Sequence, residues 1–247
     1  MNIGDSMFKY LKVIFRGAYK ILFAYPKIRK YAKNKDKYPI EERYAYARKL
    51  IKIVMKAFDI EIKVEGFNEI DKKEACLYVA NHQSFMDSLT LIYLFEDPVC
   101  FVTKKESRDY PFAGKVCHFI DCIFLDRENL RDSIRMIKEC KEKLNNGVNV
   151  GIFPEGTRTK DENFMPSDYK AGALKCAYDT NKKIVVLTLD GSYKALSTKY
   201  KGKLVINVKV SEIIDPSVYK EKGTTELADY IKQITIATLS ELRKQNG

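Results

Sequence analysis

Cys76-Leu77-Tyr78-Val79-Ala80 runs without a linker into Asn81-His82-Gln83-Ser84-Phe85-Met86-Asp87. An apolar run this short, closed by a polar turn, predicts a buried strand, and the pattern that follows from Phe85 to Phe95 predicts a helix. The same unit recurs along the chain. Short apolar runs return at Val99 to Thr103, Cys122 to Leu125, Val148 to Phe153, Ile184 to Leu189 and Leu204 to Val210. Helical patterns fall near Leu130 to Leu144, Lys170 to Asp179 and Thr224 to Arg243. Before the quoted stretch, the alternation Ile60, Ile62, Val64 ending at Gly66 predicts a first strand with one buried face. Strands alternating with helices predict an α/β fold, a mixed central sheet flanked by helices, with its ligand at the strand ends and the turns that follow them.

The chain has 247 residues, 45% of them hydrophobic, with seven prolines, twelve glycines and no internal repeat. That length fits one α/β domain with a short attachment. The formal net charge is +11, and its location matters more than its size. Residues 1–56 hold fifteen Lys and Arg against four Asp and Glu, whereas the rest of the chain holds twenty-nine of each sign. The excess therefore belongs entirely to the N-terminal segment, and the division expected is 1–58 for a basic helical attachment and 59–247 for the domain proper.

Within that segment, Met7 to Tyr25 is mostly apolar and aromatic, with Lys9, Lys12, Arg16 and Lys20 at offsets that place them on one helical stripe. Pro26 is expected to stop this helix. A second pattern from about Glu41 to Phe58 puts Ala47, Leu50, Ile51, Val54, Met55 and Phe58 on one face. Lys27, Arg29, Lys30, Lys33, Lys35 and Lys37 then form a polybasic connector between the two. The first run is broken by charge too often to span a bilayer. Two amphipathic helices and a basic cluster suit an anionic membrane surface. Packing of the helices on the domain, with the charges solvated, is the alternative. The basic segment carries no nucleic-acid-binding motif, so nucleic acid is not an expected partner.

No cleavable signal pattern opens the chain, and the six cysteines are scattered without a C-x-x-C pair, so they are expected to be reduced thiols facing the cytosol. Cys117, His118 and Cys122 match no zinc spacing, and no metal is expected. His118 is expected to be structural, between buried neighbours.

Two segments carry chemistry. His82 leaves a strand, and Asp87 lies five residues on, in the first turn of a helix. The carboxylate can fold back to accept from one imidazole nitrogen, leaving the other to take a proton from a hydroxyl. The Asp fixes the tautomer and stabilises the imidazolium. By itself this spacing is a weak signal and reads first as a structural histidine beside an N-terminal helix cap. The second segment, Phe153-Pro154-Glu155-Gly156-Thr157-Arg158-Thr159, also follows a buried strand. Thr157 and backbone N–H groups offer donors, Arg158 offers a fork suited to phosphate, and Glu155 can accept from a glycerol hydroxyl. An ion pair between Glu155 and Arg158 is the plainer alternative.

Together, Asn81-His82-Gln83 with Asp87 and Phe153-Pro154-Glu155-Gly156-Thr157-Arg158 resemble the glycerolipid acyltransferase family, particularly its bacterial 1-acylglycerol-3-phosphate acyltransferases. The likeness covers about Val64 to Leu189. Val102-Thr103-Lys104-Lys105-Glu106 with Pro111-Phe112-Ala113-Gly114 looks like the segment between the family's two motifs. Phe124-Leu125-Asp126-Arg127 looks like its second substrate-binding block, and Tyr169-Lys170-Ala171-Gly172-Ala173 is similar to its Phe-Lys-x-Gly-Ala stretch. One departure stands out. Where the family shows a strand of the type Pro-Ile-Val-Pro-Val, this chain has Lys183-Ile184-Val185-Val186-Leu187, with neither proline.

The resemblance implies transfer of a fatty acyl chain from acyl-CoA or acyl carrier protein to the sn-2 hydroxyl of 1-acylglycerol-3-phosphate, with His82 and Asp87 catalytic. It implies Asn81, Lys104, Lys105, Arg127, Glu155, Gly156, Thr157 and Arg158 as the substrate-binding set, with Lys105 the expected second phosphate cation after Arg158 and Lys104 or Arg127 its substitutes. Another lysophospholipid, glycerol 3-phosphate or a lyso-aminolipid stays open as acceptor. A non-catalytic membrane-binding protein is the alternative from a different class, and the intact motifs speak against it. A thioester is already activated, so no cofactor is implied. No cysteine lies in either motif, which favours direct transfer over an acyl-enzyme. The expected location is peripheral or monotopic, on the cytoplasmic face of the cell membrane.

Overall fold

The computed structural model describes residues 17, 19–197, 200 and 203–245. It is built around a seven-stranded sheet of β1 (Ile60–Glu65), β2 (Leu77–Ala80), β3 (Val99–Lys104), β4 (Ile123–Leu125), β5 (Asn149–Ile152), β6 (Ile184–Asp190) and β7 (Leu204–Ile214). Their order across the sheet is β1-β7-β6-β2-β5-β3-β4. All neighbours are parallel except β6 and β7, which run antiparallel with a bulge between Val186 and Leu187. Five strands therefore end along one edge, and the turns after them meet there.

The helices are α1 (Tyr19–Lys33), α2 (Ile40–Ala57), α3 (Met86–Leu94), α4 (Ala113–Phe119), α5 (Leu130–Asn145), α6 (Lys175–Thr180), α7 (Pro216–Tyr219) and α8 (Thr224–Gln245). Alternation along the strands divides the core. Tyr78, Ala80, Val185, Leu187 and Leu189 face one layer with residues of α1 to α4, while Leu77, Val79, Ile184 and Val186 face the other with residues of α5 to α8. β6 lies between β2 and β7, and all seven of its residues are buried. Its proline-free sequence supplies N–H groups to the neighbours on both sides.

The structure departs from the sequence expectations in several places. The helix does not stop at Pro26, which lies inside α1. Proline interrupts the ladder there, but Ile28 and Tyr31 beyond it are buried, and Leu22, whose carbonyl loses its partner, is 64% exposed and open to water. Lys27 to Lys33 are consequently the last turns of a helix, and only Lys35–Lys37 form a short 3-10 turn between the helices. The expected helix from Lys170 to Asp179 is a 3-10 turn, Ala171–Leu174, followed by α6, and α4 was not expected. β1 does not show the expected single buried face: at the edge of the sheet its cover falls away along its length, from half-buried Ile60, Glu61 and Ile62 to exposed Lys63, Val64 and Glu65. The part of the first amphipathic pattern from Met7 to Arg16 lies outside the described residues. All six cysteines are free thiols, five of them buried.

The apolar face of α2 (Tyr44, Ala47, Leu50, Ile51 and Met55) is buried in the larger core layer. Arg43 fastens this helix at its start. Its guanidinium donates to the Phe119 carbonyl, to Tyr38 O at 3.0 Å and to Asp121 Oδ2 at 3.0 Å, while Lys35 Nζ reaches Asp121 Oδ1 at 2.7 Å. Burial pushes the Asp121 carboxyl up, but the hydrogen bonds and charges of Lys35 and Arg43 outweigh it and hold the group below its ordinary value. This contribution is complete above about pH 4 and is lost as pH falls further, through the lowered value of the folded state. Arg43→Met orphans two carbonyls and is expected to cost roughly 2–3 kcal/mol in urea unfolding at neutral pH. A loss under about 0.5 kcal/mol would remove Arg43 from the list of anchors.

Candidate active site

β2 delivers His82 to the carboxyl edge of the sheet, and the start of α3 brings Asp87 back to it. His82 Nδ1 lies 2.8 Å from Asp87 Oδ2. The same oxygen accepts the backbone N–H groups of Gln83 and Ser84, each at 2.7 Å. An oxygen already receiving two donors is an acceptor, so Nδ1 carries the hydrogen and Nε2 keeps its lone pair. Asp87 is fully buried, and the His82 side chain is 17% exposed. Phe153 stacks on the imidazole at 4.3 Å between ring centroids, which fixes the ring plane. Nε2 has no hydrogen-bond partner among the described residues.

The loop after β5 holds the His82 backbone from both sides. Glu155 Oε1 accepts His82 N–H at 2.7 Å, and Thr159 N–H donates to the His82 carbonyl at 2.8 Å. Glu155 Oε2 accepts both the N–H and the hydroxyl of Ser167 at 2.9 Å. Glu155 is 3% exposed, and neither oxygen pairs with Arg158. Its place here is that of a brace between loops, with both oxygens already engaged by protein donors, rather than that of a contact for a glycerol hydroxyl. Burial pushes its carboxyl up, opposed by the Ser167 and His82 donors. Gly156 turns the chain at φ +71°, where a side chain would be strained, and an added Cβ would meet Lys170 Nζ at 3.0 Å.

Asn81, expected at the substrate, is 1% exposed and occupied elsewhere. Its amide donates to Leu189 O at 2.9 Å and accepts Leu189 N–H at 2.8 Å, tying the end of β2 to β6. Lys105 is exposed but paired with Asp126 at 2.5 Å, which holds its ammonium above the ordinary value. Lys104 stands over the Tyr110 ring at 5.6 Å. Thr157, Arg158 and Arg127 are exposed, and their side chains make no hydrogen bond or ion pair with other described residues. Among the described residues, Arg158 on the turn after β5 and Arg127 on the turn after β4 thus keep guanidinium groups without a side-chain partner, whereas Lys105 is paired. His118 is exposed on α4, not enclosed, although Phe119 beside it is buried.

Gln83 is a residue whose position the sequence pattern did not reveal. It is buried, with Nε2 donating to Asp190 Oδ1 at 3.1 Å and Oε1 accepting Gly191 N–H at 3.1 Å. Its place in the Asn-His-Gln motif was the available signal, but the partners lie more than a hundred residues away.

The chemistry of this edge is a partially exposed base with its tautomer set, and exposed guanidinium groups on the turns after β4 and β5. An acyltransferase family model matches residues 61–190, which contain every one of these groups. The chain is 30% identical over 196 residues to the probable 1-acyl-sn-glycerol-3-phosphate acyltransferase of Mycoplasma pneumoniae, covering 72% of each chain. It is 32% identical over 166 residues to the 1-acyl-sn-glycerol-3-phosphate acyltransferase of Helicobacter pylori, covering 64% of this chain and 69% of that one. Among solved structures it resembles the 1-acyl-sn-glycerophosphate (LPA) acyltransferase PlsC of Thermotoga maritima. The TM-score is 0.69 at 24% identity, over 98% of this chain and 96% of that one.

Proposed function

The chain belongs to the acyltransferase family, and from that premise we propose that it acylates the sn-2 hydroxyl of 1-acylglycerol-3-phosphate, giving phosphatidic acid. The donor is a fatty acyl thioester, acyl-CoA or acyl carrier protein. One observation carries the reaction: Nδ1 of His82 is held at 2.8 Å from a buried carboxylate, with Nε2 left without a partner among the described residues at the sheet edge. Nε2 takes the proton of the acceptor hydroxyl as its oxygen attacks the thioester carbonyl. Asp87 stabilises the imidazolium, and the proton returns to the departing thiolate as the tetrahedral intermediate collapses. The thioester needs no further activation, so the reading includes no cofactor and no acyl-enzyme.

The names of the relatives support a phosphate-bearing acceptor, and so does Arg158, which is exposed, has no side-chain partner among the described residues and precedes Thr159, whose N–H holds the His82 carbonyl. Arg158→Lys is expected to raise KM for 1-acylglycerol-3-phosphate by on the order of tenfold, with KM for the donor little changed, since an ammonium does not replace a planar fork. The test pairs this variant with an acceptor panel that includes a lysolipid without a phosphate monoester. Equal impairment towards that lysolipid would show that Arg158 holds the loop and does not read phosphate.

The N-terminal helices support attachment to an anionic bilayer. Tyr25 of α1 packs on Phe112 at the start of α4, and Tyr31 packs on Phe119 at its end, so the first turns of α1 point toward the carboxyl edge that carries His82. Those turns expose Tyr19, Leu22 and Phe23, the last at 81%. A cleft lined by Lys20, Lys49, Lys52, Ile53 and Lys56 lies between α1 and the end of α2. Apolar side chains and lysines on the side of the active-site edge fit a protein lying on a membrane with its site facing the lipid. Among the described residues no helix is long and apolar enough to cross a membrane.

A further inference from the structure

The last helix, α8, contributes no residue to the motifs, yet its final turn reaches the site. Arg243 donates from Nε and Nη2 to Asp190 Oδ1 at 3.1 and 2.9 Å, and from Nη1 to the Asn163 carbonyl at 2.8 Å. The same Asp190 oxygen accepts Nε2 of Gln83, the residue after His82, and that amide also lies 3.3 Å from the Phe164 carbonyl. Gln83 in turn gives its backbone N–H to Asp87 Oδ2. Asp190 is 6% exposed, so without the guanidinium it would be a buried charge left with an amide as its donor.

The second branch runs through the loop at residues 159–167. Asp161 Oδ1 closes that loop on the N–H groups of Asn163 and Met165, and Thr159 Oγ bonds the Met165 carbonyl while its N–H holds His82. Arg243 grips the same loop at Asn163. Docking of α8 does not depend on this residue, since Leu227, Ala228, Ile231, Thr235 and Leu239 bury the helix along its length. The first branch ends on Asp87 through the Gln83 backbone N–H, and the second ends on the His82 carbonyl through Thr159 N–H.

We infer that Arg243 is a positioning residue for the His82–Asp87 pair, acting through Asp190 and Gln83 and through the 159–167 loop. The inference rests on the proposed acyl transfer at His82. A misplacement of a fraction of an ångström at a base is enough to lower the rate of the chemical step while leaving ground-state binding intact. Arg243→Ala in the full chain is therefore expected to lower kcat on the order of tenfold, with KM for donor and acceptor within about threefold of wild type. Arg243→Lys, which keeps the charge and one donor, should recover part of the loss. Because Arg243 and Gln83 share one path, the Gln83→Ala, Arg243→Ala double variant should lose little more than the worse single variant.

A folded Arg243→Ala protein with wild-type kcat would overturn the inference. So would losses that multiply in the double variant, or a change confined to KM. If Arg243→Ala does not fold, the same comparison is made on Arg243→Lys and Arg243→Gln, and wild-type kcat in both overturns it equally. Wild-type protein and His82→Ala are run beside them. A wild type that makes no phosphatidic acid, or a His82→Ala protein as active as wild type, counts against the acyl-transfer reading itself.

Discussion

His82→Ala is expected to lower kcat by on the order of a hundred- to ten-thousandfold while leaving the fold intact, since that is what loss of a general base costs. The fold should survive because the His82 loop is held mainly by its backbone, through Glu155 and Thr159, and by Asn81 and Gln83, not by the imidazole. Asp87→Asn should fall between wild type and His82→Ala. The two backbone N–H groups that meet Asp87 Oδ2 would hold an amide oxygen in its place, so Nδ1 keeps an acceptor and the loss is that of the charge stabilising the imidazolium. A His82→Ala enzyme that retains about a fifth of wild-type kcat removes His82 as the base.

The second large effect is expected at the membrane. Reversing Lys20, Lys49, Lys52 and Lys56 to Glu should release the protein from anionic vesicles. Each cation near such a surface contributes about 1 kcal/mol, so the four together are worth about a thousandfold in partitioning. All four side chains are exposed, so the fold should tolerate the change. Removing the whole segment is not an equivalent experiment, because Tyr44, Ala47, Leu50, Ile51 and Met55 would leave the core with it. Leu22→Asp with Phe23→Asp should weaken binding independently, and that part should persist at high salt, where the lysine contribution is screened. Vesicle sedimentation measures both. Unchanged sedimentation of the fourfold variant at low salt would show that this end of the helix pair does not meet the bilayer.

The sequence reads most clearly where structure is local. His82 and Asp87 meet because five residues of strand exit and helix start allow no long detour, and the strands around them follow from short apolar runs. What escapes a linear reading is the choice of partners over distance. Glu155 and Asn81 look like ligand groups because both are polar and lie in motifs, but the N–H groups that occupy them belong to segments 73 and 108 residues away. Pro26 reads as a stop signal, and packing of Ile28 and Tyr31 overrides it. Lys105 looks like a free cation until Asp126 is brought against it. Arg243 carries no local signal, because only the sheet topology brings α8 to Asp190.

The most direct test follows a labelled acyl thioester, offered as acyl-CoA and as acyl carrier protein, with purified wild-type protein and 1-acylglycerol-3-phosphate. The account predicts that label appears in phosphatidic acid, in amounts that depend on both acceptor and protein. Label that stays on the thioester, or leaves only as free fatty acid while the acceptor is unchanged, would contradict it.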